Sequence, residues 1–248
     1  MLTDHQDAYG HLIQDAIRGL GSYEVDERDD GFVGIAHMAD IYTAPFTDWA
    51  PHHQRAMGLA QGRVLDIGAG AGRHCLYLQE QGHEVLATDN SPLAIRTCRE
   101  RGVKHAQVIP ITALSARLGM FDTILMLGNN FGLFGSFTRA RWLLRRFRSF
   151  TSPDARLIVE STDPYQTDAP EHAAYHRRNR RRGRMAGQLR LRVRFRTYAT
   201  PWFDYLLVSK AEMEEILAGT GWAVAEYLDS PGPSYIAVIE RVAPGPKP

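Results

Sequence analysis

The stretch Val64-Leu65-Asp66-Ile67-Gly68-Ala69-Gly70-Ala71-Gly72 constrains this chain more than any other. Its first four residues are a short apolar run cut off by glycines, the pattern of a buried strand. The glycines at alternate positions remove side chains where a ligand must approach the backbone closely, and a helical pattern begins directly after them at Arg73. Asp89 ends the next apolar run, where an acid in such folds accepts hydrogen bonds from both ribose hydroxyls. Strand, glycine loop, helix, strand and terminal acid in this order point to a nucleotide-like ligand. Nicotinamide and flavin cofactors stay open at this level.

The surrounding pattern alternates. Helix signals over 73–81 and 92–101 and a short helical stretch over 112–118 interleave with strand signals over 84–88, 106–109 and 121–127. A helix over 138–150 and a strand over 156–160 continue the series, which predicts a doubly wound α/β fold, a mostly parallel sheet with helices on both faces. A helix over 210–217 then precedes two strands, 223–228 and 235–239, whose hairpin brings an antiparallel strand into the sheet. Toward the N-terminus, Ala8, Leu12, Ile13, Ala16, Ile17 and Leu20 describe one helical stripe, and 45–59 a second helical segment, on either side of an acidic, glycine-punctuated stretch at 26–31. The expected organisation is an N-terminal helical lid (1–60), a Rossmann-like cofactor-binding domain (61–161 with 209–242) and an arginine-rich β insertion acting as a substrate lid (162–208). Residues 244–248 are expected to fray.

Several function classes recede on composition. A net charge of +1 lacks the field of a dedicated nucleic-acid coat protein. Cys75 and Cys98 both fall in amphipathic helical segments, so free thiols are expected rather than a disulfide framework. The first residues show no basic start followed by an apolar run, and no long apolar stretch occurs, so the expectation is a cytoplasmic protein without a membrane partner. No Cys, His or carboxylate group shows metal-ligand spacing, and no metal is expected.

The glycine loop resembles the first motif of the class I S-adenosylmethionine-dependent methyltransferases, whose acid precedes the first glycine by two positions, as Asp66 does here. The motif resemblance covers about residues 40–160, and the terminal hairpin is similar to the family's reversed seventh strand. It implies a seven-stranded sheet and S-adenosylmethionine as cofactor, with S-adenosylhomocysteine as product. Carried over by position, Asp66 and Gly68 would lie near the methionine end, Ala69, Gly70 and Gly72 would line the loop, Asp89 would hold the ribose, and Asn90 and Ser91 would flank the adenine. Where the family often has an acid for the adenine amino group, this chain reads Pro110-Ile111-Thr112-Ala113, which leaves Thr112 or a backbone carbonyl as the substitute. Tyr42, in an aromatic stretch with Phe46 and Trp49, is placed over the methionine end as an N-terminal tyrosine is in related enzymes, with core packing as the competing account.

The fourth strand runs into Leu127-Gly128-Asn129-Asn130-Phe131, which resembles a loop of glycine N-methyltransferase-like enzymes and lacks the proline motif of nucleic-acid amino-methyltransferases. Leu127 and Gly128 are cofactor-wall candidates, and Asn129 is the candidate substrate contact. Methyl transfer to an amine is mainly a matter of positioning, whereas a hydroxyl acceptor wants a base. Glu160, Asp163, His172 and His176 are the candidates for that base, with Asp163 and His176 preferred as catalytic residues.

Ten arginines fall between Arg177 and Arg196, and the last four alternate with Leu189, Leu191, Val193 and Phe195. Period-two alternation describes a strand, expected to pair with 202–208 across the turn at 199–201. Its cationic face reads as a solvated edge, as a partner for acidic segments such as 26–30 or for another subunit, or as a site for an anionic substrate. The function that follows is methylation of a nitrogen or oxygen on a small molecule. The alternatives are an RNA methyltransferase that uses the arginines, and a cofactor-binding regulatory subunit without catalysis. An oligomer is compatible with the sequence, and nothing in it names the acceptor.

Overall fold

The computed structural model describes residues 2–21, 23–37 and 39–242, so the tail at 244–248 lies outside the described residues. From the N-terminus come α1 (Ala8–Ile17), β1 (Tyr23–Arg28), β2 (Val33–His37), α2 (Ala39–Thr43) and α3 (Pro51–Met57). The central alternation is β3 (Val64–Ile67), α4 (Arg73–Glu80), β4 (Val85–Asp89), α5 (Pro92–Glu100), β5 (His105–Val108), β6 (Phe121–Met126), α6 (Phe137–Phe147) and β7 (Thr151–Thr162). Then follow α7 (Pro170–Arg181), β8 (Gln188–Phe195), β9 (Tyr198–Ala199), β10 (Phe203–Leu206), α8 (Lys210–Leu217), β11 (Trp222–Asp229) and β12 (Ser234–Arg241).

The main sheet has seven strands in the order β11-β12-β7-β6-β3-β4-β5. Its five central and right-hand strands pair in parallel, and β12 runs antiparallel to both β7 and β11. The sheet is buried on both faces because neighbours along each strand feed opposite sides. Leu65, Leu86, Leu157 and Ala237 enter the layer under α6 and α8, while Val64, Val85, Ile158 and Ile236 enter the layer under α3, α4 and α5. Strand order reverses between β3 and β6, and ligand crevices in open α/β sheets lie at the carboxyl ends of such a pair.

A second sheet lies above that crevice, with order β10-β8-β1-β2 and β9 paired to β8. The pairing of β8 with β10 is the expected one, Phe203 opposite Leu191 and Leu206 opposite Gln188. The hairpin β1–β2 was not expected, since residues 1–60 read as helical. Its strand β1 alternates charges, Glu24, Asp26 and Arg28 on one face, so it carries no apolar period of two. Its pairing with β8 puts the arginine strand inside the sheet rather than at an edge. The arginines meet acids of the same chain: Arg192 and Arg194 contact Glu27 at 2.7 and 2.6 Å, and Arg184 contacts Asp204 at 3.1 Å.

Helix α1 is fastened to α5 by one buried carboxylate. Asp7 Oδ1 accepts the Gly10 amide at 3.1 Å and Asp7 Oδ2 accepts the Leu93 amide at 3.0 Å, so Asp7 serves the first turn of both helices. Gly10 permits the approach, because a Cβ there would lie 2.5 Å from Leu93 Cβ. Among the described residues no helix is long and apolar enough to cross a membrane.

Candidate active site

A cavity of about 600 Å³ opens between the carboxyl ends of β3, β4 and β6 and the inner face of the second sheet. That is within the range of small-ligand sites, roughly 300–1,000 Å³. One wall is the glycine loop. Gly68, Gly70 and Gly72 all adopt left-handed backbone, at φ of 76°, 56° and 75°. A Cβ on Gly68 would sit 2.5 Å from Asn130 Nδ2, so that position requires glycine on both counts.

Asp89 lies at the end of β4 beside this loop. Its Oδ2 accepts the Gly70 amide at 3.1 Å and its Oδ1 the Ser91 amide at 2.9 Å, which leaves each oxygen a lone pair toward the cavity. Burial nonetheless pushes the Asp89 carboxyl above its ordinary value, the two amides only partly offsetting it. Gly68, Ala69, Gly70, Asn90, Ser91, Thr112, Leu127 and Gly128 also line the cavity, as does Tyr42, whose ring lies 3.3 Å from where a Gly70 Cβ would be. Gly72 faces Val103 and Cys98 instead, 2.7 and 3.1 Å from its Cβ position, and serves the packing of α4 against α5. Asp66 is buried outside the cavity lining. It accepts a hydrogen bond from the Cys75 thiol at 3.1 Å, and burial pushes its carboxyl up to about 6.

The opposite wall is the turn after β6. Gly128 and Asn129 are left-handed, at φ of 70° and 65°, and three contacts hold them there. Glu160 Oε2 accepts the Gly128 amide at 2.6 Å and the Asn129 amide at 3.3 Å, and the Tyr205 hydroxyl donates to the Asn129 carbonyl at 2.6 Å. Asn130 Nδ2 donates to the carbonyls of Ile67 and Gly68, tying this turn to the glycine loop. The Asn129 side chain thereby stays uncommitted: its Oδ1 is buried, without a partner, in a residue lining the cavity.

Glu160 thus acts as a positioning residue of the turn. Burial works to raise its carboxyl, but the His53 hydrogen bond at 3.3 Å and the two amides outweigh it and hold it below its ordinary value. The sequence spacing showed no metal-ligand group, yet His52, His53 and Glu160 bring ligand atoms within 4.8 Å of one another. Asp163 and His176 are not brought to the cavity. The Asp163 carboxylate turns back to accept the Tyr165 amide at 2.9 Å, and His176 packs against the Tyr165 ring on α7.

Sequence reasoning missed Tyr9, Glu24 and Asp26, which line the cavity from α1 and the second sheet, whereas Pro201-Trp202-Phe203-Asp204-Tyr205 reads in sequence either as an acceptor-pocket wall or as core and cap residues, and its Phe203, Asp204 and Tyr205 line the cavity. The available signal was the spacing of Glu24 and Asp26, two acids on one face of a strand, which the acidic, glycine-punctuated character of 26–31 obscured.

Residues 64–154 match the family model described as a methyltransferase domain. A glycine/sarcosine N-methyltransferase of Halorhodospira halochloris is 29% identical over 104 residues, which span 40% of this chain and 39% of that protein. A S-adenosylmethionine-dependent methyltransferase of Bacteroides fragilis, solved with S-adenosylhomocysteine, superposes with a TM-score of 0.82 at 24% identity over 98% of each chain. The 1,6-didemethyltoxoflavin-N1-methyltransferase of Burkholderia thailandensis has a TM-score of 0.52 at 18% identity, over 98% of this chain and 92% of that one.

Proposed function

We propose that the chain, whose residues 64–154 match the methyltransferase-domain model and which shares its fold with S-adenosylmethionine-dependent methyltransferases, methylates a nitrogen or oxygen of a small molecule. The observation that carries this reading is the shape of the cavity. Its floor is the glycine loop with Asp89, and its roof is the second sheet, so an acceptor reaching Asn129 is enclosed on both sides. A small molecule fits that enclosure; a polymer would need the roof displaced.

The residues present fit the cofactor. Gly68 and Gly70 bring left-handed backbone without side chains to the cavity wall, and Asp89 keeps lone pairs for a diol. Gly68, Ala69 and Gly70 would hold the amino-acid end under Tyr42, Asp89 the ribose, and Asn90, Ser91 and Thr112 the adenine end. When bound, S-adenosylmethionine supplies an electrophilic methyl group on a positively charged sulfur. This chain's part is to exclude water and aim the acceptor, and good orientation lowers the barrier by several kcal/mol. The RNA alternative loses support from the strand β8, since Arg190, Arg192 and Arg194 are each engaged with Asp204 or Glu27.

Calorimetry with S-adenosylmethionine tests the cofactor half. The wild type is expected to bind, and Asp89→Ala to bind at least about tenfold more weakly, as expected when a buried charged hydrogen-bond partner is removed. Equal affinities, or no binding to either, overturn the reading. Formation of S-adenosylhomocysteine with a mixture of small metabolites tests the acceptor half, and none forming with any mixture favours a non-catalytic binding protein.

A further inference from the structure

Two acids on the inner face of β1 stand apart from the other acids of the hairpin. Glu27 meets Arg192 and Arg194, Asp29 meets Arg178, and Asp30 meets Arg28. Glu24 and Asp26 face the cavity from the roof, and no ion pair to either occurs among the described residues. Glu24 is only 5% exposed. Its Oε1 accepts the Tyr9 hydroxyl at 2.7 Å, while its buried Oε2 has no N–H or hydroxyl donor. Among the described residues, the only group within hydrogen-bonding reach of the carboxyl besides Tyr9 is the neighbouring Asp26 carboxyl, with which it can share a proton. A buried carboxyl oxygen left without a donor is costly, and a cationic donor would relieve it. Three tyrosines of the cavity wall, Tyr9, Tyr42 and Tyr205, are near enough to feel the Glu24 charge.

We propose that Glu24 and Asp26, with the tyrosines around them and the free Asn129 Oδ1, form the acceptor subsite, and that the acceptor is a basic amine. The proposal rests on the methyltransferase reading above and narrows its acceptor from nitrogen or oxygen to an amine that arrives protonated. An ammonium group supplies what this wall lacks: N–H donors for Glu24 Oε2 and Asn129 Oδ1, and a positive charge between two carboxylates. Tyrosine rings add attraction for a cation through their π faces. Arg73 and Arg139 also line the cavity; Arg73 is turned to the Ile41 carbonyl, and Arg139 lies beside Gly135 with its buried Nε unpartnered.

The same pair accounts for the proton. A protonated amine has no lone pair, so one ammonium proton passes to a carboxylate oxygen of the pair, leaving a neutral amine. The freed lone pair forms the new N–C bond as the methyl–sulfur bond breaks, and the electrons of that bond stay on sulfur, cancelling its charge. The methylated amine carries the positive charge away, and the carboxylic acid returns its proton to water. Burial and then repulsion from Asp26 raise the Glu24 carboxyl, and burial raises that of Asp26, so the pair is a better base than exposed carboxylates.

Calorimetry on the protein saturated with S-adenosylhomocysteine tests this with benzylamine and cyclohexylamine against benzyl alcohol and cyclohexanol. Each amine is expected to bind at least about tenfold more tightly than its alcohol, and Glu24→Gln to remove most of that preference, as loss of one member of a buried charge pair does. Asp26→Asn gives the same change from the other carboxylate. S-adenosylhomocysteine affinity, measured on each variant, is expected to stay within about threefold of wild type, a difference well under 1 kcal/mol. Amines bound no better than alcohols by the wild type, amines bound by neither, or a preference that survives both substitutions overturns the subsite. Failure of S-adenosylmethionine itself to bind the wild type would sink the methyltransferase reading instead, so the two failures are separate.

Discussion

The Tyr205 hydroxyl donates to the Asn129 carbonyl at 2.6 Å, joining the roof of the cavity to the left-handed turn after β6 that forms one wall. Gly132 makes the contact possible, since a Cβ there would lie 2.2 Å from Tyr205 Cζ. The bond fixes where the Asn129 side chain sits without touching the cofactor loop. Tyr205→Phe is therefore expected to cost about 1 kcal/mol of stability. It should also lower kcat with the identified acceptor about tenfold or more, because small misplacements of positioning groups are expensive. Cofactor affinity should not move. Stopped turnover assays beside calorimetry distinguish this from a general loss of folding, in which both quantities fall together.

Gly68→Ala tests the floor. The substituted residue would have to adopt φ of 76° with its Cβ 2.5 Å from Asn130 Nδ2, displacing the side chain that ties the glycine loop to the β6 turn. Left-handed backbone alone costs a non-glycine residue about 1–2 kcal/mol. The expected outcome is a fall in Tm together with weaker S-adenosylmethionine binding. An unchanged cofactor affinity would show that the loop does not face the ligand.

The main sheet was legible because its strands are buried on both faces and read as apolar runs punctuated by glycine, as at 64–67 and 121–127. The β1–β2 half of the roof was not, for a physical reason. Strand β1 presents Glu24 and Asp26 inward to a ligand cavity rather than to a core, so the usual link between inward and apolar fails there. The same limit applies to individual acids. Asp66, Asp163 and Glu160 are alike in sequence as carboxylates at strand ends, and only their partners separate them: a thiol for Asp66, a turn amide for Asp163, the amides of Gly128 and Asn129 for Glu160. The arginine run shows the converse. Its period of two was readable, and so was the acidic segment 26–30 as one possible partner, from which Glu27 meets Arg192 and Arg194; that this segment is a strand paired with β8 was not.

Asp7→Ala tests how α1 is held over the cofactor wall. The Asp7 carboxylate accepts the amides of Gly10 and Leu93, so truncation strips one acceptor from the starts of two helices. At about 1 kcal/mol per cap, the loss is on the order of 2 kcal/mol. Limited proteolysis is expected to cut within residues 8–21 sooner than in the wild type, and saturating S-adenosylmethionine to restore part of the protection. Equal cleavage rates would show that hydrophobic packing of Leu12 and Ile13 alone holds the helix.

Asp66 gives a prediction whose sign depends on pH. Burial raises its carboxyl from the ordinary 3.8 to about 6 in the folded chain, the Cys75 thiol bond only partly opposing the shift. The folded protein therefore binds this proton more tightly than the unfolded one. The resulting stabilisation is fully present below about 3.8, and it is lost as pH rises through about 6. Asp66→Asn keeps an oxygen that accepts from Cys75 while carrying no charge, and so resembles the protonated acid at every pH. Its advantage over the wild type should grow between pH 4 and 6 and level off above, at a size on the order of 3 kcal/mol. Thermal unfolding across that range without ligand measures it. An Asn variant less stable than the wild type at pH 8 would mean that the ionised Asp66 carboxylate makes a favourable contact its burial hides, and would return this residue to the cofactor site.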